Sequence, residues 1–135
     1  MPPRAKSAKI LIVDDEPPIR DFVERVLRDA GYTTALAVDG REALEVAGKF
    51  GSCDLLLTDL VMPEMNGDEL ARRLRRDDPN LNVLYLTGYS DRLFKEKTVL
   101  WEGEAFLDKP CTIEGLLEAV SLLLSGHTHG LQPRQ

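Results

Sequence analysis

Apolar residues in this chain follow two patterns, short unbroken runs closed by polar residues and longer stripes at three- and four-residue spacing. The runs read as buried strands and the stripes as amphipathic helices facing a core. Ile10-Leu11-Ile12-Val13 is the first run and ends in Asp14-Asp15-Glu16. Pro17 and Pro18 then suit a first helical turn, where missing N–H groups cost little. Ile19, Phe22, Val23, Val26, Leu27 and Ala30 form a helical stripe, with Gly31 placed to end it. Residues 32–38 read as a second strand, Asp39-Gly40 as a turn, and 41–50 as a short helix with Ala43, Leu44, Val46 and Ala47 on one side.

The central run is Leu55-Leu56-Leu57, too short for a helix, and it carries Asp59 at its C-terminal end. Met62-Pro63 and Asn66-Gly67 break the chain before a helix running to Arg76, which Asn66 is expected to cap and whose Leu70, Ala71 and Leu74 face inward. Residues 83–86 are a fourth strand ending in Thr87-Gly88. Residues 90–101 give a blurred helical period through Leu93, Phe94, Val99 and Leu100. Residues 104–107 form a fifth strand that ends at Asp108-Lys109-Pro110. Thr112 caps a last helix with Ile113, Leu116, Leu117, Val120, Leu123 and Leu124 as its stripe, and Gly126 stops it.

Five short strands alternating with five helices predict an α/β domain, a doubly wound parallel sheet covered on both faces. The expected organisation is a disordered tail over 1–8, one domain over 9–125 and a flexible tail over 126–135, with no linker or second domain. The 135 residues are 43% hydrophobic and 30% charged, the balance of a globular chain rather than a disordered one. A formal charge of −6 opposes a role in gripping phosphate backbones, so Arg72, Arg73, Arg75 and Arg76 are read as a solvated helix face. No apolar run approaches the ~18 residues of a membrane span, and none suits a signal peptide, so a cytoplasmic protein without membrane contact is expected. Cys53 and Cys111, far apart, read as reduced structural thiols, and His127 and His129 are too few for a metal site.

Parallel strands share direction, so Asp14-Asp15, Asp59, Thr87 and Lys109 all fall on one edge of the sheet. In open α/β sheets that C-terminal edge is where ligands bind. Crowded carboxylates resist joint ionisation, and a divalent cation relieves the repulsion. Oxygen ligands without His or Cys suit Mg²⁺. Lys109 adds a point charge suited to a phosphate. A metal, a carboxylate nucleophile, a hydroxyl and an ammonium together describe phosphoryl transfer onto an aspartate.

Four motifs, Ile-Leu-Ile-Val-Asp-Asp-Glu-Pro, Leu-Thr-Asp-Leu-Val-Met-Pro-Glu-Met-Asn-Gly, Leu-Thr-Gly and Phe-Leu-Asp-Lys-Pro, occur in this order. Over roughly residues 8–125 the chain resembles the chemotaxis-regulator-like receiver domain of bacterial two-component response regulators. The resemblance implies a flavodoxin-like fold with strand order 2-1-3-4-5. It implies Asp59 as phosphoacceptor, with Asp15, Asp59 and the backbone carbonyl of Val61 as direct Mg²⁺ ligands and Asp14 acting mainly through water. Thr87 would move onto the phosphoryl group, Lys109 would contact it, and the Lys109-Pro110 bond would be cis. Phe106 falls where the family carries a switch aromatic, often Tyr, and here has no hydroxyl to offer a partner.

The implied function is a signalling switch, not a metabolic enzyme. It takes a phosphoryl group from a histidine kinase or phosphotransfer protein and acts on a downstream protein, as a monomer or a phosphorylation-dependent dimer, without touching nucleic acid. The alternatives are the receiver part of a hybrid histidine kinase and a phosphate-independent interaction module, the latter opposed by the presence of Asp59, Thr87, Lys109 and both early acids. A phosphohydrolase would need a second acid two residues after the nucleophile, where Val61 stands.

Overall fold

The computed structural model describes residues 8–88 and 102–126. In chain order they form β1 (Lys9–Val13), α1 (Pro17–Asp29), β2 (Thr33–Ala37), α2 (Gly40–Phe50), β3 (Leu55–Asp59), α3 (Gly67–Arg75), β4 (Asn82–Thr87), β5 (Glu104–Asp108) and α4 (Ile113–Leu124). The expected helix over 90–101, with Phe94 and Trp101, and the tail histidines lie outside the described residues.

All five strands pair in parallel in the order β2-β1-β3-β4-β5, the expected doubly wound, flavodoxin-like sheet. Side chains alternate across a strand, and the alternation divides the core in two. Ile10, Ile12, Leu55, Leu57, Leu84 and Leu86 face α1 and α4, against Val23, Leu27, Leu116 and Val120. Leu11, Val13, Leu56, Val83 and Tyr85 face α2 and α3, against Ala43, Leu70 and Ala71. Leu55, Leu56 and Leu57 are wholly excluded from solvent, each contributing about 1.5–3 kcal/mol relative to exposure. A strand covered on both faces is apolar on both, which is why β3 opens as the run Leu55–Leu57 rather than an alternation, with its polar residues Thr58 and Asp59 at the C-terminal end.

Local structure departs from expectation at four places. Asp39-Gly40 starts α2 instead of making a free turn: Asp39 Oδ1 accepts from Glu42 N at 2.8 Å, and Glu42 Oε1 accepts from Val38 N at 2.7 Å. The first bond satisfies a donor that the helix start leaves open, and the second ties the residue before the cap back to the first turn. Asn66 stands at the N-cap of α3, yet its side chain makes no cap bond and turns back to accept from Met62 N at 3.1 Å. Phe22 and Ile113, both counted in helical stripes, are 36% and 51% exposed, and they line an open pocket between α1 and α4 rather than the sheet contact. Arg75 does not belong to a solvated face. Its Nε and Nη2 donate to Leu81 O at 3.1 and 2.6 Å and its Nη1 pairs with buried Glu104, while Arg72 and Arg73 do stay outside, paired with Glu69. Thr112 caps α4 as expected, accepting from Gly115 N at 2.9 Å. Cys53 and Cys111 are free thiols, and burial pushes Cys53 up to about 11, leaving it inert as a nucleophile. Among the described residues no helix is long and apolar enough to cross a membrane.

Candidate functional site

The C-terminal ends of β1 and β3 lie side by side, with Val13 in register with Thr58. The residues that follow are therefore delivered to one pocket. Asp14 is fully buried, Asp59 is 4% exposed and Asp15 is exposed at the rim. One ligand oxygen from each of Asp14, Asp15 and Asp59 lies within 4.8 Å of the others.

Asp14 is anchored on both sides. Its Oδ1 accepts from Glu16 N at 2.9 Å, and its carbonyl oxygen accepts from Arg20 Nη1 at 2.7 Å. Its Oδ2 is buried and takes no hydrogen bond, with the Lys109 ammonium 3.1 Å away as an ion pair. Burial holds the Asp14 carboxyl above the usual carboxylate range, against the lowering pull of the Glu16 N–H and of Lys109.

Lys109 enters from the end of β5, its backbone N–H bonded to Thr87 O at 2.8 Å and the Lys109-Pro110 peptide cis. Its Nζ reaches Asp14 Oδ2 at 3.1 Å, Glu16 Oε1 at 3.1 Å and Asp59 Oδ2 at 3.4 Å. Burial alone would lower this ammonium, but the Asp14 and Asp59 carboxylates outweigh it and raise it well above its ordinary value. Lys109 is thus permanently charged, and it neutralises part of a strongly acidic pocket.

Thr87, at the end of β4, is buried. Its hydroxyl donates to Asp108 Oδ1 at 2.9 Å. Phe106 is half-buried against the core, its ring 5.8 Å from that of Tyr85, its register partner on β4.

The loop after β3 places Asp59. Met65 N donates to Pro63 O at 2.7 Å across Glu64, which has φ 68°, a left-handed conformation that non-glycine residues seldom adopt. Gly67 N donates to Leu60 O at 2.8 Å, and a Cβ on Gly67 would stand 2.4 Å from Asp59 O. The Asn66-Gly67 pair thus clamps the loop against the strand end.

The pocket unites Asp14, Asp15, Asp59 and Lys109, as expected, with Thr87 on the adjacent strand and its hydroxyl turned to β5. Three residues escaped sequence reasoning as parts of the site. Glu16 had a signal, since it follows directly on the paired acids. Arg20 and Asp108 had none beyond lying near strand ends.

The donor set fits a hard cation, with three carboxylates, no soft ligand, and the buried Asp14 Oδ2 without a hydrogen bond. In the presence of a chelator Asp14→Asn should raise Tm at pH 7, since it removes the charge that burial penalises. An acid whose pKa is raised on folding binds its proton more tightly in the native state, so its stabilising contribution is lost as pH rises through the folded value. The advantage of the variant therefore grows above the usual carboxylate range and vanishes in acid, and Mg²⁺ should shrink it. Melting curves across pH with and without Mg²⁺ check this, and an advantage that persisted in acid would rule it out.

A doubly wound five-stranded sheet with an acidic pocket and a lysine at its C-terminal edge defines a class of signalling module. The response regulator receiver domain family matches residues 10–121. The chain belongs to that family, the receiver domains of two-component systems, which act as signalling switches.

It is similar to the sensor kinase CckA of Brucella abortus, 35% identical over 87% of this chain and 13% of that protein. It is also similar to the response regulator receiver protein CpdR of the same organism, 33% identical over 86% of this chain and 96% of that protein. The crystal structure of a response regulator receiver protein from Sinorhizobium medicae superposes with a TM-score of 0.77 at 30% identity, over 90% of this chain and 97% of that one. Three other curated relatives are transcriptional regulators or response regulators of which the chain spans 48–51%.

Proposed function

We propose that this receiver accepts a phosphoryl group on Asp59 from a phosphohistidine of a histidine kinase or phosphotransfer protein, with Mg²⁺ held by the acidic pocket. One observation carries the reading: Asp14, Asp15 and Asp59 bring ligand oxygens within 4.8 Å of one another, with the Lys109 ammonium among them. Asp14, Asp15, Asp59 and the Val61 carbonyl would hold the ion. When bound, it supplies positive charge to the phosphoryl oxygens.

The protein's own residues do the rest. Asp59 Oδ attacks phosphorus, an O–P bond forms as the N–P bond breaks, and the donor imidazole leaves. Lys109, 3.4 Å from Asp59 Oδ2, stabilises charge on the transferred group. Thr87 supplies a hydroxyl donor, and Phe106 shifts with it to alter the surface offered to a downstream protein. The cytoplasm, where such a donor kinase presents its phosphohistidine, is the proposed compartment. A second reading, as the receiver part of a hybrid histidine kinase, draws on the similarity to CckA. The Asp59 chemistry is the same there, and only the placement of the donor differs.

Intact-mass spectrometry after incubation with acetyl phosphate tests the reading. A gain of one phosphoryl group that requires Mg²⁺ and is absent from Asp59→Asn is the expected result. A gain that survives in Asp59→Asn, or no gain from either acetyl phosphate or a phosphorylated histidine kinase, would overturn it.

A further inference from the structure

We propose that Asp108 is a positioning residue that holds the Thr87 hydroxyl on the far side of β4, away from Asp59, until a phosphoryl group draws it back. The proposal rests on the phosphoacceptor reading above and adds to it a restraint on the switch. β4 lies between β3 and β5. Across one side Asp59 is in register with Leu86, the residue before Thr87, and across the other Thr87 is in register with Asp108. A threonine hydroxyl has one proton to give. Here it goes to Asp108 Oδ1 at 2.9 Å, a bond to a carboxylate and therefore stronger than one to a neutral acceptor.

A phosphoryl group on Asp59 presents new anionic oxygens on the β3 side. Lys109 Nζ is already there, and it already faces three carboxylates. The Thr87 hydroxyl can serve those oxygens only by leaving Asp108. Asp108 itself is exposed, so its carboxylate stays solvated when the Thr87 hydroxyl leaves. The result is an element with two discrete arrangements, one stabilised by Asp108 and the other by the phosphoryl group. The strength of the Asp108 bond then sets how much of the phosphoryl group's binding energy goes into moving Thr87.

Two readouts on the full chain test this, using Asp108→Ala, Asp108→Asn and Thr87→Val. Three-bond couplings of the Thr87 methyl carbon report its rotamer without any reaction. In the Mg²⁺-free protein one rotamer is expected for wild type, averaging for Asp108→Ala, and near-wild-type values for Asp108→Asn, whose amide oxygen still accepts. The second readout is affinity for fluoroberyllate, a phosphoryl mimic, with Mg²⁺. Asp108→Ala should bind it about tenfold more tightly, the worth of a hydrogen bond to a charged group after exchange with water. Asp108→Asn should fall between, and in a Thr87→Val background Asp108→Ala should change nothing.

Unchanged Thr87 couplings in Asp108→Ala overturn the proposal, as does an unchanged fluoroberyllate affinity, or a gain that persists without the Thr87 hydroxyl. Failure of the phosphoacceptor reading looks different. Wild type would then neither bind the mimic nor gain mass with acetyl phosphate, whatever the couplings show.

Discussion

Lys109→Met is expected to lower the Tm of the Mg²⁺-free protein by roughly 10 °C, with most of the loss recovered on adding Mg²⁺. The ammonium lies 3.1 Å from Asp14 Oδ2 and 3.4 Å from Asp59 Oδ2, both on buried side chains. Removing one partner of a buried ionic cluster leaves the others uncompensated, at about 3–5 kcal/mol. Part of that is escaped when a carboxyl takes up a proton instead, so about 3 kcal/mol is expected, or roughly 10 °C for this chain length. Methionine keeps most of the apolar stem, so the loss reports charge rather than packing.

A divalent cation among the same oxygens replaces the missing charge, and at a hundredfold excess over Kd a ligand contributes about 2.7 kcal/mol. Phosphoryl acceptance should nonetheless fall about a hundredfold or more, since the cation does not restore a donor at the Lys109 position. Melting with and without Mg²⁺, beside intact-mass time courses, separates the two effects. A Tm that did not move in the chelated protein would show that Lys109 is not the charge that makes this pocket tolerable.

Gly67→Ala should be about as damaging, for a reason unrelated to charge. The added Cβ would stand 2.4 Å from the carbonyl oxygen of Asp59 and 2.9 Å from Thr58 Cγ2. Neither can yield cheaply, because Thr58 and Asp59 belong to the central strand, paired on both sides. Forced overpacking costs about 1–3 kcal/mol and occasionally more, and with backbone as the obstacle the upper end is expected, a Tm loss of roughly 10 °C. The displacement falls on the peptide that carries Asp59, so the rate of phosphoryl acceptance should drop even where the variant folds. Gly40→Ala is the control: the three atoms nearest its Cβ all belong to the Met65 side chain, Sδ at 2.8 Å, which can swing aside, and Cβ and Cγ at 3.1 and 3.2 Å, which need give by only a few tenths of an ångström. Equal Tm values for the two variants would remove the backbone argument.

Much of this was legible along the chain. The runs at Ile10-Val13, Leu55-Leu57 and Val83-Leu86 lie at the centre of a sheet covered on both faces, where both faces of a strand are apolar, so strand identity survives in composition alone. The order of acids, hydroxyl and lysine at successive strand ends was likewise readable, because parallel strands put those ends on one edge. Less legible were features made by side chains reaching across elements. Nothing in the Arg72 to Arg76 stretch distinguishes Arg75, which turns to Leu81 O and Glu104, from neighbours that stay outside with Glu69. Asn66 has the composition of a cap and the position of one, yet its side chain accepts from Met62 N instead.

The division has a physical basis. Hydrophobic periodicity and turn chemistry are properties of residues a few positions apart, so the linear chain by itself determined the strands, most helix boundaries and the edge on which chemistry would sit. Distances inside the pocket depend on register between strands and on which of several nearby acceptors each donor takes. Only the tertiary structure decided that Asp14 Oδ2 is buried without a hydrogen bond, that Lys109 faces three carboxylates at once, and that Thr87 gives its proton to Asp108. Those choices turn on differences of tenths of an ångström between groups far apart in sequence, which no local pattern encodes.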